Sequence, residues 1–386
     1  MGFGFDCASQ SEISTVLSLH HHVDPSTIIY ANPCKAPSLI RYAAENDVNC
    51  MTFDNADELD KIQRYHPNAL MVLQILVDDA GSQCALGAKF GAPLGVVRGI
   101  LRKARKLRVN VAGISFHVGS GCTNPELYRD AVKSARWAFD VAKEEGFDLT
   151  LLDVGGGFED ESFGVVAGVL REAVDNYFPR SEAGVRVIAE PGKFFVDTAF
   201  DLGTVIIARR GPAWDESMDE VIRMMDHAVD DTAVMYYISD GVYGSFESLM
   251  FKQELNLQPH VLSVSGVIHT SNDDLPAGSP WESCSIWGPT CVRFSAFFMS
   301  SIRTHRLISA QDSLDCVRLK AELPAGLLIG DWLRWERMGA YTISTASQFN
   351  GFEVAKVHYT INTQGDLLLE RHIRRLMASR FLDFPC

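Results

Sequence analysis

Short apolar runs alternate with helical stretches over the first 196 residues of the chain. The runs occupy residues 27–31, 50–53, 70–77, 109–116, 148–152 and 185–189. Several are continuously apolar, as strands that are covered on both faces must be. The clearest helix spans residues 125–145, with Pro125 in its first turn and Gly146 after its end. This alternation predicts a parallel sheet, and at this length a (β/α) barrel is the favoured closure.

After about residue 200 the pattern changes to strands without long helices between them. Apolar runs at residues 201–208, 233–238, 327–333 and 357–361 predict a second, mostly antiparallel β domain. We therefore predict a barrel domain over residues 1–198 and a β domain over residues 199–386. The acidic residues between 211 and 231 are not grouped as a Ca²⁺ loop would be, so no metal site is predicted.

Composition favours small-molecule chemistry. A formal net charge of −14 argues against broad contact with nucleic acid or anionic lipid, because both attract an excess of Lys and Arg. No apolar run approaches about 18 residues, the length that a membrane span needs, and no signal segment is expected at the start. The nine cysteines are scattered singly, which is typical of a reduced cytoplasmic protein.

Polar residues and glycines follow three of the predicted strands. His117 and Ser120 follow one strand, glycines 155–157 follow the next, and Glu190 and Lys193 follow a third. Barrel active sites lie at such strand ends, and consecutive glycines let backbone N–H groups approach a phosphate. A glycine run alone is usually a loop, and a lone histidine is often a core residue. Three such groups at successive strand ends predict a site for a flat cofactor with a phosphate tail.

Six motifs resemble those of the ornithine decarboxylase family of pyridoxal-phosphate decarboxylases. They are residues 4–9 (GFDCAS), 29–35 (IYANPCK), 115–122 (SFHVGSGC), 240–246 (DGVYGSF), 285–291 (SIWGPTC) and 338–341 (MGAY). The resemblance implies a (β/α) barrel that lacks its first strand, followed by an antiparallel β-barrel or sandwich domain. It further implies pyridoxal phosphate as cofactor and a homodimer with shared active sites. The implied reaction is decarboxylation of a basic amino acid, ornithine to putrescine, in polyamine biosynthesis.

The resemblance also implies roles for single residues. His117 would stack on the pyridine ring, Glu190 would pair with its protonated nitrogen, and Cys291 would reprotonate the substrate α-carbon. His117 and Cys291 are therefore the expected catalytic residues. The other expected cofactor ligands are Asp6, Lys89, Ser120, Gly155, Gly156, Gly157, Gly192, Lys193 and Tyr341. The expected substrate-binding residues are Phe251, Lys252, Asp312 and Phe349.

The family's Schiff-base lysine is not found in this chain. In the family it lies in a Tyr-Ala-x-Lys segment shortly before the motif at residues 4–9, and only three residues precede that motif here. Lys35 follows another Tyr-Ala pair, but it belongs to a second motif that relatives with the true lysine also carry. We therefore expect impaired activity and a barrel with two unpaired edges.

Three point departures occur inside matching motifs. Gln74 stands where the family has an arginine near the cofactor, and Lys193 replaces a phosphate-side arginine, which keeps the charge but loses the bidentate fork. Lys252 replaces an acid that binds the substrate's distal amine. Two cations at about 4 Å repel by about 1–4 kcal/mol in a partly solvated pocket. Either Lys252 points to solvent, or the substrate has a neutral or acidic far end.

Residues 292–311 separate Cys291 from Asp312, where the family pattern resumes. This insert has no acid and three arginines. Because Val codons begin with GT and one Gln codon is CAG, its ends match those of an intron read through in frame. The insert is either a retained intron or gene-model error, or a real loop. Sequencing the spliced messenger distinguishes these.

A second class of function is a catalytically inactive homologue that binds proteins, as antizyme inhibitors do, with an antizyme-like regulator as partner. The missing lysine, the displaced Asp312 and Lys252 fit this hypothesis. Retention of His117, Glu190 and Cys291 fits it less well, since a protein without cofactor does not need them. An incomplete product with poor solubility is a third possibility.

Overall fold

The computed structural model describes residues 2–19, 23–84, 87–179, 184–211, 234–251, 257–264, 267–268, 280–291 and 315–359. The chain divides into two compact units. Unit 1 comprises Met1–Val205, Ser248–Trp281 and Leu323–Tyr341, and unit 2 comprises Ile206–Glu247, Glu282–Glu322 and Thr342–Cys386. Unit 1 thus runs past residue 198, and the domain boundary at 198/199 stays a prediction.

Unit 1 carries a seven-stranded parallel sheet. Its strands are β1 (Phe5–Cys7), β2 (Ile28–Tyr30), β3 (Cys50–Phe53), β4 (Leu70–Gln74), β6 (Asn110–Ser115), β8 (Leu151–Asp153) and β9 (Arg186–Ile188). Strands β5 (Ser82–Cys84) and β7 (Ser120–Cys122) form a separate antiparallel pair. In the part of the chain that the structure describes, β1 and β9 each pair on one side only. The sheet is a curled half-barrel, which confirms the incomplete (β/α) barrel.

The helices between and after these strands cover one face of the sheet. They are α1 (Gln10–Leu17), α2 (Pro37–Glu45), α3 (Ala56–Tyr65), α4 (Leu94–Leu107), α5 (Glu126–Glu144), α6 (Phe163–Tyr177) and α7 (Gly192–Val196). Met51 and Leu73 of the sheet pack with Ile62 and Phe139 of the helices in one buried core. Each such side chain stabilises the fold by about 1.5–3 kcal/mol. The predicted helix at 125–145 is confirmed.

The opposite face of the sheet carries a much smaller cluster, made by Ile29, Val72 and Leu151. Because side chains alternate across a strand, Val72 points away from its neighbours Met71 and Leu73, which belong to the main core. The concave face of the half-barrel is therefore only thinly filled by side chains.

Strand β1 was not predicted from the sequence. Its three residues include the polar Asp6, and only Cys7 is buried, so no apolar run marks it. The parallel register pairs Phe5 with Ile28 and Cys7 with Tyr30. Tertiary pairing therefore makes a strand where the local sequence pattern is weak.

Six of the later strands form a mixed sheet, and they are β10 (Leu202–Arg210), β11 (Val234–Ile238), β12 (His260–Val261), β15 (Trp281–Trp287), β16 (Cys316–Pro324) and β17 (Trp332–Trp335). Strands β13 (Ser263–Val264) and β14 (Val267–Ile268) form a separate antiparallel pair, and helix α8 spans Ser248–Phe251. In unit 1, β17 pairs antiparallel with β12 and with the start of β10. In unit 2, the end of β10 pairs antiparallel with β11, whereas β11 and β15 are parallel. The predicted strands at 201–208 and 233–238 are confirmed, but the pairing is not wholly antiparallel.

Two predicted strands are wrong in whole or in part. At 327–333 the strand starts only at Trp332, because Gly330 has φ +97° and Leu328 N donates to Asp331 Oδ2 at 2.8 Å, which makes a turn. Residues 357–359 belong to no strand, and 360–361 lie outside the described residues. The acidic stretch, apart from Gly211, and the insert at 292–311 also lie outside them.

None of the described helices combines the length and the apolar composition that a membrane crossing requires.

Candidate functional site

A cavity of about 1020 Å³ opens at the carboxyl ends of the parallel strands in unit 1. The last residues of β4, β6 and β8, which are Gln74, Ser115 and Asp153, all line it. Nine of the residues predicted to bind the cofactor also line it, namely Asp6, His117, Ser120, Gly156, Gly157, Glu190, Gly192, Lys193 and Tyr341. The strands thus bring together residues that are far apart in the sequence.

Three carboxyl groups meet on one side of the cavity, on Asp6, Asp153 and Glu190. Burial raises the pKa of Asp153 to about 6, and the amide of Gly155 partly opposes this. Burial, followed by the charges of Asp153 and Asp6, raises the pKa of Glu190 well above its usual value. Burial and the charges of Asp153 and Glu12 raise the pKa of Asp6 to about 7. A cation placed among these acids would replace a proton and be stabilised by their charge.

Asp153 also presents an unsatisfied oxygen. Its side chain is 1% exposed, and its Oδ1 accepts a hydrogen bond from the backbone N–H of Gly155 at 2.9 Å. Among the described residues, Asp153 Oδ2 and the nearby Ser115 Oγ are buried without a hydrogen-bond partner. Buried polar atoms of this kind are rare in folded proteins. Their place in the cavity lining is consistent with a polar ligand at this site.

The imidazole of His117 is held in one orientation. Its Nδ1 accepts a hydrogen bond from the backbone N–H of Gly119 at 2.9 Å, which requires an unprotonated Nδ1 and leaves the proton on Nε2. Burial lowers the pKa of His117, and the charge of Asp79 partly opposes this. A neutral, fixed ring at the cavity wall is suited to stacking on a flat ligand.

The glycine run after β8 is shaped for close backbone approach. Gly155 and Gly157 have φ of +65° and +92°, a region that favours glycine. A Cβ on Gly157 would lie 2.4 Å from Gly119 O, so no side chain fits there. Tyr128 donates its hydroxyl hydrogen to Gly156 O at 3.1 Å and so fixes the position of the loop. Gly155 shapes the turn, although Gly156 and Gly157 are the glycines that line the cavity.

Lys193 and Tyr341 complete this end of the cavity. Lys193 lies on the short helix α7 and forms an ion pair with Glu159, which follows the glycine run. Tyr341 is 51% exposed and has φ +53°. The glycine amides, the ammonium group and the hydroxyl groups of Tyr341 and Ser120 are the donors that a phosphate requires.

The chemistry of the lining therefore fits both the ring and the phosphate of pyridoxal phosphate. Acids with raised pKa values lie where a protonated ring nitrogen would need them. The glycine cradle, which any Cβ would fill, lies where a phosphate would need it. His117 follows β6, the strand that pairs with β8, and β8 carries Asp153 and leads into the glycine run.

Lys89 is not among the residues that line the cavity. It is exposed, and its Nζ lies 4.7 Å from the centre of the Phe90 ring, which does line it. Its assignment to the cofactor stays a prediction. Among the described residues, Lys193 is the one lysine in the cavity lining.

Lys35 serves the fold and does not line the cavity. Its side chain is buried, and its Nζ donates to Asn32 O at 2.9 Å and to Thr52 O at 2.6 Å. The same Nζ lies 3.0 Å from Glu58 Oε1. Three acceptors thus use the three hydrogens of the ammonium group. Burial lowers the pKa of Lys35, and the charge of Glu58 opposes this.

The remaining predicted site residues belong to other parts of the chain. In unit 2, Cys291 is exposed after β15, and Phe349 stacks on Tyr243 with ring centres 4.6 Å apart. Phe251 is the last residue of α8 in unit 1. Lys252 and Asp312 lie outside the described residues. The roles of all these residues stay predictions.

Sequence reasoning missed Asp153 and Glu159. Asp153 directly follows an apolar run and precedes the glycines, so the strand-end rule that selected His117 and Glu190 would have found it. Glu159 carries no comparable signal, because its ion pair with Lys193 joins residues that only the fold brings together.

Comparison with known proteins agrees with this geometry. Residues 1–197 match the family model "Pyridoxal-dependent decarboxylase, pyridoxal binding domain" and residues 193–304 match its "C-terminal sheet domain". The chain is 42% identical over 358 residues to ornithine decarboxylase of Schizosaccharomyces pombe, across 93% of this chain and 72% of the relative. It is 43% identical over 366 residues to antizyme inhibitor 2 of Xenopus laevis, across 94% and 71%.

A solved structure extends the match to the fold. The arginine decarboxylase of Paramecium bursaria Chlorella virus, bound to agmatine, superposes with a TM-score of 0.76 and 33% sequence identity. The superposition covers 92% of this chain and 83% of that one. The expected cofactor is thereby confirmed at the level of the family. The chain belongs to the ornithine decarboxylase family of pyridoxal-phosphate-dependent carboxy-lyases.

Proposed function

We propose that this decarboxylase acts on a basic amino acid, with ornithine as substrate and putrescine as product, in cytoplasmic polyamine biosynthesis. The observation that carries the proposal is the pairing, in one cavity, of the acids Asp153 and Glu190 with a glycine cradle. The relatives named ornithine decarboxylase support this choice of substrate. Residues 1–198 would be the cofactor-binding domain and residues 199–386 the β domain.

When bound, pyridoxal phosphate supplies an aldehyde for the substrate's α-amine and a ring that accepts the electron pair left as CO₂ departs. Glu190 and Asp153 would hold a proton at the ring nitrogen, since the negative charge of a carboxylate stabilises a cation placed beside it. Asp6 would add to the same field. His117 would fix the plane of the ring, and its neutral state lets it stack without repelling a cation.

The phosphate would be held by the glycine run and the groups around it. Backbone N–H groups of Gly156 and Gly157, with the hydroxyl group of Ser120, would donate to its oxygens, Gly192 would lie beside it, and Lys193 and Tyr341 would supply the remaining donors. Lys89, which is exposed beside Phe90, would contribute only long-range charge.

The second half of the reaction needs a proton donor and a holder for the substrate's far end. We assign the return of the proton at Cα to Cys291, whose thiol is exposed after β15. Phe251 and Phe349 would line the substrate pocket, and Asp312 would bind the distal amine from the partner subunit of a homodimer. Partial recovery of activity on mixing His117→Ala with Asp312→Ala protein would support shared sites, and no recovery would contradict them.

The test of substrate choice is CO₂ release by the protein made from the spliced messenger. The panel is ornithine, lysine, arginine and norvaline, because norvaline is ornithine without its distal amine. Ornithine should give the highest kcat/KM. Lys252→Asp should raise kcat/KM for ornithine and leave norvaline unchanged, whereas the exposed Lys320→Asp should alter neither. Preference for norvaline over ornithine would overturn the ornithine proposal.

An antizyme-inhibitor type of function is the second candidate, because one relative carries that name and Lys252 opposes binding of a cationic substrate. A visible absorbance band with pyridoxal phosphate that borohydride removes, as it does when it reduces an imine, would support the decarboxylase. Tight binding to an antizyme without any such band would support the regulator.

A further inference from the structure

Arg337, two residues after β17, joins segments that are far apart in the sequence. Its Nη2 and Nε lie 2.8 Å and 3.0 Å from the same oxygen, Asp197 Oδ2. Its Nη1 lies 2.8 Å from Glu161 Oε1 and 3.9 Å from Asp160 Oδ2. The carboxylate of Asp197 is only 13% exposed, so this contact is partly shielded from solvent. One guanidinium group therefore bridges two acidic segments.

Each of the bridged segments also contains a residue that we propose as a phosphate ligand. Glu161 lies four residues after Gly157, and Asp197 lies four residues after Lys193. The arginine itself lies four residues before Tyr341. All of these residues belong to unit 1. The side chain of Arg337 thus joins the three chain segments that would contact the phosphate. In each segment the joined residue lies four positions from the residue assigned to the phosphate.

Backbone contacts fix the same segments more closely. Met338 N donates to Phe200 O at 2.8 Å, and Gly339 N donates to Asp197 O at 3.1 Å. A Cβ on Gly339 would lie 1.6 Å from Val196 O, so only glycine permits this approach. The segment that carries Tyr341 is therefore packed directly on the segment that follows Lys193.

The conformation of this segment needs external support. Arg337 and Tyr341 have φ of +59° and +53°, a backbone conformation that is uncommon and strained for residues other than glycine. Such conformations persist only where the surrounding contacts over-determine them. The ion pairs to Asp197 and Glu161 are contacts of that kind.

We propose that Arg337 is a positioning residue that sets the spacing of the phosphate-holding groups, Tyr341, Lys193 and the glycine run. The proposal rests on the proposed role of those groups as phosphate ligands. Loss of the guanidinium should let the three segments move relative to one another, and the phosphate contacts should weaken together. Contacts to the ring, through His117 and the acids, should be unaffected.

Arg334 provides a matched control. Its side chain is 36% exposed against 38% for Arg337, and its Nη2 lies 2.7 Å from Asp201 Oδ2 and 3.3 Å from Glu336 Oε1. Its partners are Asp201, which precedes β10, and Glu336, two residues further along the chain, so among the described residues Arg334 makes no ion pair with the segment that follows the glycine run. A general effect of losing a surface arginine should therefore appear equally in both variants.

The experiment compares the affinities of the full chain for pyridoxal phosphate and for pyridoxal, which lacks the phosphate, by equilibrium dialysis. Arg337→Ala should weaken pyridoxal phosphate binding about fivefold, the equivalent of about 1 kcal/mol for an ion-pair network, and leave pyridoxal unchanged. Asp197→Asn should act in the same direction. Arg337→Lys should fall between, because lysine keeps the charge and loses the fork. Arg334→Ala should change neither affinity.

Three results would overturn the proposal. Equal weakening of both ligands by Arg337→Ala would show a general loss of structure, and no weakening of either would show that the spacing does not depend on the arginine. If the unaltered chain binds pyridoxal as tightly as pyridoxal phosphate, the phosphate site itself fails and the proposal fails with it. If the unaltered chain binds pyridoxal phosphate more tightly than pyridoxal, the phosphate site is intact, and the first two results then count against Arg337 alone.

Discussion

Asp153→Asn tests whether the buried carboxyl group at the end of β8 destabilises the folded protein when it loses its proton. The substitution keeps the shape of the side chain at the end of β8 and removes its charge. Its amide oxygen can still accept the hydrogen bond that Asp153 Oδ1 receives from Gly155 N at 2.9 Å. Its amide nitrogen replaces Oδ2, which is buried without a partner among the described residues, and can donate to the neighbouring Glu190.

The magnitude follows from the shift in acidity. Burial raises the pKa of Asp153 from 3.8 to about 6. The folded protein therefore holds this proton more tightly than the unfolded chain does. The resulting stabilisation is fully present below about pH 4 and is lost as the pH rises through about 6. A shift of about 2 units corresponds to at most about 3 kcal/mol.

The assay is chemical unfolding of the cofactor-free protein at pH 4 and at pH 7.5. The unaltered chain should lose up to about 3 kcal/mol of unfolding free energy relative to Asp153→Asn between these two pH values. Asp130→Asn, an exposed acid on α5, is the control and should follow the unaltered chain. Asp153→Asn should also bind pyridoxal phosphate more weakly, because the protonated ring nitrogen loses a negatively charged neighbour. Parallel stability curves for the unaltered chain and Asp153→Asn would refute the reasoning.

Three further substitutions test other parts of the site. Gly157→Ala should lower the free energy of unfolding by about 1–3 kcal/mol, because residue 157 has φ +92°. It should also lower the affinity for pyridoxal phosphate about tenfold in a fluorescence titration, because the new Cβ would lie 2.4 Å from Gly119 O. Unchanged affinity would contradict the role of the glycine run in binding the phosphate. Lys35→Met should reduce the unfolding free energy by about 3 kcal/mol, since it removes one partner of the buried Glu58, without weakening cofactor binding; loss of a borohydride-reducible adduct would instead identify Lys35 as the imine lysine. Lys193→Arg should tighten pyridoxal phosphate a few-fold by restoring a bidentate fork, and weaker binding would show that the ion pair with Glu159 is required.

The strand-end rule explains why much of the cavity could be predicted. His117, the glycine run and Glu190 each follow a run that becomes a parallel strand, and parallel strands end at one edge of the sheet. The same rule applies to Asp153 but was not used for it. Strand β1 and the turn at Leu328 to Asp331 escaped prediction because short elements depend on partners more than on local composition.

Local sequence determined the alternation of strands and helices, the parallel sheet that follows from it and the residue types at the strand ends, because these properties follow from periodicity and from the chemistry of single residues. The resemblance to the family came from the motifs and not from periodicity. Tertiary structure alone decided how those residues act on one another. The raised pKa of Glu190 depends on its burial and then on Asp153, the ion pair of Lys193 depends on Glu159, and the bridge of Arg337 depends on Asp197. Burial and the distance between charges set these interactions, and only the folded chain specifies either quantity.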